Sequence, residues 1–368
     1  MRILLLGEYS NLHATLATAL RDLGHEVRLV SDGDEWKCYP ADVRLSRRST
    51  GLPDTFAYLL RLQREMRHWR GYDVVQLINP VHFVQLKAER GRRLYDWLRR
   101  HNRRVFLGAF GDDYYHIYNS YVRRPLPYSD FYTPTREVDH AWNRQNLAGW
   151  LYNKQMVRSC QHIAHTCDGI IAALYEYYIA YQAEPDLKDK TTFIPLPIAV
   201  TEDAGVQESH HAKLRIFIGI QRQRSALKGT DILLKVAQDL QAKYPDRMEL
   251  ITAENLPFDQ YTRLLNGCDI LLDQIYSPTP AMNALQAMSR GIVALSGGEE
   301  EQYALLGEHE LRPILNTQPE EESVREVLED IILHPERLTL LRQQSVQYVQ
   351  RHHEAHKVAR EYLNFWNK

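Results

Sequence analysis

Apolar positions in this chain gather in runs of three to five residues, and several runs are followed by a turn and a stretch with helical spacing. The first is RILLL at 2–6, closed by Gly7 and followed by a helix expected over 14–23 with Gly24 as its stop. A second strand over 26–30 completes a strand–helix–strand opening within thirty residues. The same alternation continues with a helix at 56–70, a strand at 72–78, a helix at 86–100 and a strand at 104–108. A long helix is expected over 143–165, then a strand from Asp168, a short aromatic helix at 174–181 and a strand at 192–196. Residues 32–53 are polar and turn-rich. Residues 118–140 carry Pro125, Pro127 and Pro134 among many aromatics, and read as a long loop shaping a cleft or a lid.

After a polar stretch at 200–212, which reads as a linker, the pattern starts again. LRIFIG from Leu214 echoes RILLLG from Arg2, a repeat of architecture rather than of sequence. Helices are expected at 230–243, 258–267 and 280–289, and strands at 248–252, 269–272, 292–295 and 312–315. Three helices follow, at 321–334, 335–353 and 355–366. Strands separated by helices imply a parallel sheet in each half. The expectation is an α/β chain of two doubly wound domains, 1–199 and 200–344, with the helical stretch 345–368 packing back on the first.

Composition narrows the class. At 368 residues the chain has room for about two domains. A net charge of -2 gives no global attraction to nucleic acid. No run approaches a membrane span, and the opening residues lack a secretory leader's pattern. Four scattered cysteines, Cys38, Cys160, Cys167 and Cys268, argue against a disulfide framework and for a reducing, cytoplasmic setting. The spacing of Cys160, His162, His165 and Cys167 fits no common zinc pattern, so no metal is expected. The cations Arg99, Arg100, Arg103 and Arg104 form either a solvated helix face or a peripheral contact with anionic headgroups at the inner face of the membrane.

Two segments carry candidate chemistry. Arg222, Arg224 and Lys228 lie in the loop between an apolar strand opening on Gly219 and a helix starting near Gly229. Ligands of parallel sheets bind beyond the carboxyl ends of strands, and cations beside a helix start suit a phosphate. The plainer alternative is a solvated basic turn. In the second segment, Gly108, Gly111, Asp112 and Asp113 follow a buried strand and precede Tyr114, Tyr115 and His116. Paired carboxylates beside a histidine suit acid–base work or hydroxyl binding. The alternative is a turn whose aspartate caps the next helix. The turn after Gly7 lacks the full dinucleotide fingerprint, although one glycine there still admits a ligand to the backbone.

These residues resemble a family. Gly219, Arg222 and the Lys228–Gly229 pair match the strand–Gly–Arg–Lys–Gly pattern of the retaining group 1 (family 4) glycosyltransferases, whose GT-B architecture sets two Rossmann-like domains across a cleft. The Ala287–Gly291 stretch AMSRG also matches, whereas Pro278 and Gln286 stand where the family carries a pair of glutamates. Gly111–Asp113, the Gly7 loop and the crossing C-terminal helix fit as well. The resemblance implies a nucleotide-sugar donor held by the second domain and a saccharide or lipid-linked acceptor held by the first, with retention of configuration and no metal or other cofactor. Arg222 and Lys228 would then grip the diphosphate with help from Arg224, and Asp113 would orient a hydroxyl. Gly7, Gly219, the helix start at Ala281, Met282 and Asn283, and Gln286 would line the donor site. Two other readings stay open: a sugar- or nucleotide-binding protein without transferase activity, and a nucleotide-sugar epimerase of the same fold.

Overall fold

A computed structural model describes residues 1–34, 37–200, 211–220, 225–254, 256 and 258–368. The chain divides into two compact units. The first comprises Met1–Asn119, Asn146–Pro197 and Ala355–Lys368; the second comprises Ser120–Gln145 and Ile198–Glu354.

The first unit is built on seven parallel strands: β1 (Arg2–Leu6), β2 (Glu26–Ser31), β3 (Val43–Arg44), β4 (Val74–Leu77), β5 (Arg104–Ala109), β6 (Gly169–Ala172) and β7 (Thr191–Phe193). Their order is β3-β2-β1-β4-β5-β6-β7. Apolar side chains occupy both faces, as a sheet covered by helices requires: Ile3, Leu5, Val74, Phe106 and Ile171 on one face, and Leu4, Leu6, Val75, Leu77 and Leu107 on the other, are fully or almost fully buried. The helix Ala355–Asn367 lies in this unit and adds Val358, Tyr362 and Trp366 to that core. The Trp366 indole donates to Gln76 Oε1 at 3.2 Å, so a polar residue inside β4 is satisfied.

The second unit holds β8 (Leu214–Ile220), β9 (Met248–Glu254), β10 (Ile270–Leu272) and β11 (Val293–Leu295), all parallel, in the order β11-β10-β8-β9. Helices Thr230–Lys243 and Glu321–Leu333 pack Leu233, Val236, Leu240, Val324 and Leu328 against Ile216, Ile218 and Leu272. Asp269, just before β10, receives the Arg215 amide at 2.6 Å and pairs with Arg342; both charged groups are buried.

Two expectations change, and one helix is added. The long helix over 143–165 is broken: it runs Ala141–Asn146, passes through a π-turn at Leu147–Tyr152, and restarts at Lys154–Thr166. Asn153 causes the restart, since its side chain accepts from the amides of Gln155 and Met156 and so caps a new helix. Residues 312–315 form no strand beyond the isolated bridge Leu295↔Leu315. Glu299, Glu300 and Glu301 follow β11, and a helix not expected from the sequence, Glu300–Leu306, opens there, because carboxylates in a first turn suit the positive end of a helix. Of the expected linker, residues 201–210 lie outside the described ones.

The proline-rich stretch also has its own architecture. Tyr114–Tyr118 is helical, and the chain then leaves the first unit at Ser120. Antiparallel bridges Ser129↔Tyr132 and Tyr132↔Glu137 fold it into a strap, and Val138 packs on the core of the second unit. The Arg136 guanidinium donates to the Tyr276 hydroxyl at 2.9 Å, and the Tyr128 hydroxyl donates to Glu299 Oε1 at 2.6 Å.

Candidate functional site

Each sheet has one point where successive connections leave in opposite directions. In the first it falls between β1 and β4, in the second between β8 and β10. Ligands of open α/β sheets bind in the crevice at such a point.

In the first unit, Gly7 follows β1 with φ +87, a left-handed conformation that favours glycine. A Cβ there would lie 2.2 Å from Ile78 Cγ2 and 3.2 Å from the Phe83 Cα, so the turn is fitted against the chain after β4. Gly7 lines a small recess with Ser31, Asp32, His82 and Gln85. Helix Leu12–Asp22 begins directly beyond. Its N-cap, Asn11, makes no side-chain cap, and the buried Glu8 takes that role: its two oxygens accept from the amides of His13 at 3.3 Å and Ala14 at 2.8 Å. Burial pushes the Glu8 carboxyl up to about 7 despite those donors.

Asp113 is fully buried at the start of Tyr114–Tyr118. Its Oδ1 accepts from the His116 amide at 2.9 Å, and its Oδ2 accepts from the Tyr181 hydroxyl at 2.5 Å. Burial raises its carboxyl to about 6, while those two donors pull the other way. The helix-capping alternative is therefore realised in this structure, and Asp113 has both oxygens engaged. The neighbouring Asp112 is more open; its Oδ2 receives the Asn146 amide at 2.6 Å.

In the second unit, Arg222 and Arg224 lie outside the described residues. Lys228 is described: its ammonium stands 3.7 Å from Oδ1 of Asp273, which follows β10 directly. The same Oδ1 receives the Asn283 amide at 2.9 Å, and Oδ2 is buried without a partner among the described residues. Asn283 Oδ1 accepts from Tyr261, whose ring covers Gly219: a Cβ on Gly219 would meet that ring at 2.7 Å. Gly219, Lys228 and Asn283 thus belong to one connected cluster, with Asp273 and Tyr261 joining them. Ala281 is the extended N-cap of Met282–Met288, Met282 is buried, and Gln286 is half-buried on that helix.

Sequence reasoning passed over Glu8, Asp273, Tyr261 and Tyr181. Two of these leave a sequence signal, since Glu8 and Asp273 each come directly after a strand or its closing glycine. Tyr181 and Tyr261 are marked by nothing but the fold. The remaining groups take ordinary roles. His162 pairs with Asp96 at 2.7 Å, and no three His, Cys, Asp or Glu side chains among the described residues gather as metal ligands. Arg99 lies 3.7 Å from Asp168 and Arg104 donates to the Trp366 carbonyl, so part of the basic cluster is used internally.

No family model matches this sequence, and no curated protein does. Solved structures do. The Anabaena protein HepE, in complex with UDP and glucose, superposes with a TM-score of 0.58 at 12% identity over 99% of both chains. Sucrose-phosphate synthase from Thermosynechococcus elongatus gives 0.59 at 13% identity, over 100% of this chain and 98% of that one. The chain has the GT-B fold. A UDP-GlcNAc 2-epimerase from Neisseria meningitidis, bound to UDP-GlcNAc, shares it with a TM-score of 0.53 at 10% identity over 99% of each chain.

Proposed function

We propose that this chain is a glycosyltransferase of the hexosyl-transferring class, taking a sugar from a nucleotide-sugar donor and giving it to a saccharide or lipid-linked acceptor. The observation that carries the reading is the Lys228 ammonium set beside Asp273 at the crevice between β8 and β10. A nucleoside diphosphate gains negative charge as the glycosidic bond breaks, so a fixed cation at its phosphates stabilises the transition state more than the ground state. Asp273 holds Lys228 in place before the ligand arrives. Gly219 leaves room at the end of β8 for the Tyr261 ring, which reaches Asn283 of the same cluster. Arg222 and Arg224 are further candidates for the same grip. HepE, with UDP and glucose bound, supports a nucleotide-sugar donor.

The acceptor falls to the first unit, at the Gly7 recess and Asp112, with Asp113 as a positioning group. Donor departure with retention needs no metal or other cofactor in this scheme. The free cysteines support a cytoplasmic setting. No helix among the described residues is long and apolar enough to cross a membrane, so an acceptor in a bilayer would be met at its surface, where Arg100 and Arg103 are exposed.

Calorimetric titration with UDP-, GDP- and ADP-linked hexoses tests this reading. The expected result is binding of one donor that Lys228→Ala abolishes, with nucleoside diphosphate released when an acceptor glycan or polyprenyl phosphate is added. A folded protein that binds none of them refutes it. The second reading, an epimerase, is favoured by the missing carboxylates at Pro278 and Gln286 and by the UDP-GlcNAc 2-epimerase neighbour. It predicts an epimerised nucleotide sugar without any acceptor. A protein that binds donor yet turns nothing over would be the binding module.

A further inference from the structure

Taking the donor site proposed above as its basis, we infer that Glu299, held by Tyr128 of the strap, supplies the carboxylate that receives the hydroxyls of the donor sugar. The loops after β10 and β11 lie backbone to backbone. A Cβ on Gly297 would fall 1.9 Å from the Ser277 carbonyl oxygen, so only glycine permits this approach. The Glu299 amide donates to the Pro278 carbonyl at 3.1 Å. At the other end of the same short loop, the Ile275 amide donates to the Lys228 carbonyl at 3.0 Å. Residues 275–278 therefore connect the cation-bearing turn to the carboxylate-bearing turn through two backbone hydrogen bonds.

A sugar is bonded directly to the distal phosphate of its donor. With the diphosphate at Lys228, the sugar lies beside this loop, where Pro278 offers no side-chain acceptor. Asp273 meets Lys228 and Asn283 through Oδ1 alone, but at 3% exposure its Oδ2, unpartnered among the described residues, is buried away from a ligand, and Glu300 is bound by Arg312 through both oxygens. Glu299 is half-buried, and the hydrogen bonds its carboxylate accepts from described residues, from Tyr128 at 2.6 Å and Gln318 at 3.5 Å, both fall on Oε1. A short hydrogen bond from a buried phenol fixes the carboxylate's direction and leaves Oε2 to accept from a ligand hydroxyl. The strap residues Arg136 and Tyr128 thus brace the loop at Tyr276 and the carboxylate at Glu299 together.

The experiment compares the affinity for a nucleotide sugar with that for its free nucleoside diphosphate, using the UDP-, GDP- or ADP-linked hexose that wild type binds best. Glu299→Gln keeps an acceptor for Tyr128 and removes the charge. It is expected to weaken the nucleotide sugar about tenfold or more while leaving the nucleoside diphosphate unchanged, as loss of a hydrogen bond to a charged group implies. Tyr128→Phe should weaken it less, with the same selectivity. Lys228→Ala should weaken both ligands. If Glu299→Gln weakens both equally or neither, while Lys228→Ala abolishes binding, this inference falls and the donor-site reading stands. If wild type binds no nucleotide sugar or nucleoside diphosphate of the set, the donor-site reading falls and takes the inference with it.

Discussion

Replacing Glu8 by glutamine should remove one identifiable group's contribution to the pH dependence of stability. The folded carboxyl sits at about 7 against an ordinary 4.5, chiefly because burial disfavours the ionised form. A carboxyl whose folded value is raised contributes stability that is fully present below 4.5 and is lost as pH rises through 7. Applying the linkage relation to those two values gives a loss of about 2.5 kcal/mol between pH 5 and pH 8. Glu8 is 2% exposed, so no solvent discount applies. Glutamine keeps one carbonyl acceptor for the two amides of His13 and Ala14, so the variant forfeits one hydrogen bond, about 1 kcal/mol at every pH. The two stability curves should therefore cross near pH 5: the variant is weaker by about 1 kcal/mol below pH 4, where the carboxyl is protonated in both states, and stronger at pH 8 by about 2 kcal/mol. Urea unfolding followed by tryptophan fluorescence is a suitable assay, because Trp69, Trp97, Trp150 and Trp366 all lie in the unit that contains Glu8. Parallel curves from pH 5 to pH 8 would show that Glu8 titrates normally, and the account of its burial would be wrong.

Gly7→Ala should destabilise the first unit by about 2–4 kcal/mol, the sum of a strained φ and an overpacked contact with Ile78, measured by the same assay. A near-neutral result would mean that the turn relaxes freely. Arg342→Ala should cost the second unit about 3–5 kcal/mol, since it strands the buried Asp269 carboxylate, and Arg342→Met with Asp269→Asn, which keeps an acceptor for the Arg215 amide, should recover part of that loss. Equal stability of the single variant and wild type, read by urea denaturation, would remove the pair from the structural account.

Much of the architecture was legible because buried parallel strands leave uninterrupted apolar runs. RILLL at β1 and the ILL of β10 are visible for that reason, and helix Thr230–Lys243 has the bounds its spacing implies. Legibility failed where a single side chain decides. Nothing in the periodicity from 143 to 165 distinguishes a continuous helix from one restarted by Asn153, since the cap is one hydrogen-bonding residue inside a regular pattern. The two-residue β3 is too short to show any period. At the candidate sites, glycines and cations announce themselves after strands. The partners that give them meaning do not: Tyr261 stands far from Gly219 in the chain and Asp273 far from Lys228, and long-range pairing leaves no local pattern. The strap is the extreme case. Its prolines read as a loop, whereas its membership of the second unit depends on Val138, Tyr128 and Arg136 meeting residues from Leu214 onward.

That membership sets an order of events during synthesis. The strap is made before β8 exists, so Val138 and Tyr128 wait without their eventual neighbours until residues 214–299 have followed. The first unit waits longer still, since Val358, Tyr362 and Trp366 of its core are made after the whole of the second. The unit that starts first is completed last, and Gln76 inside β4 has no indole to receive until then. Cutting the chain at any one point leaves at least one unit short of part of its core. Separate halves of this protein should emerge from a ribosome as aggregation-prone fragments that recover solubility when both are made together.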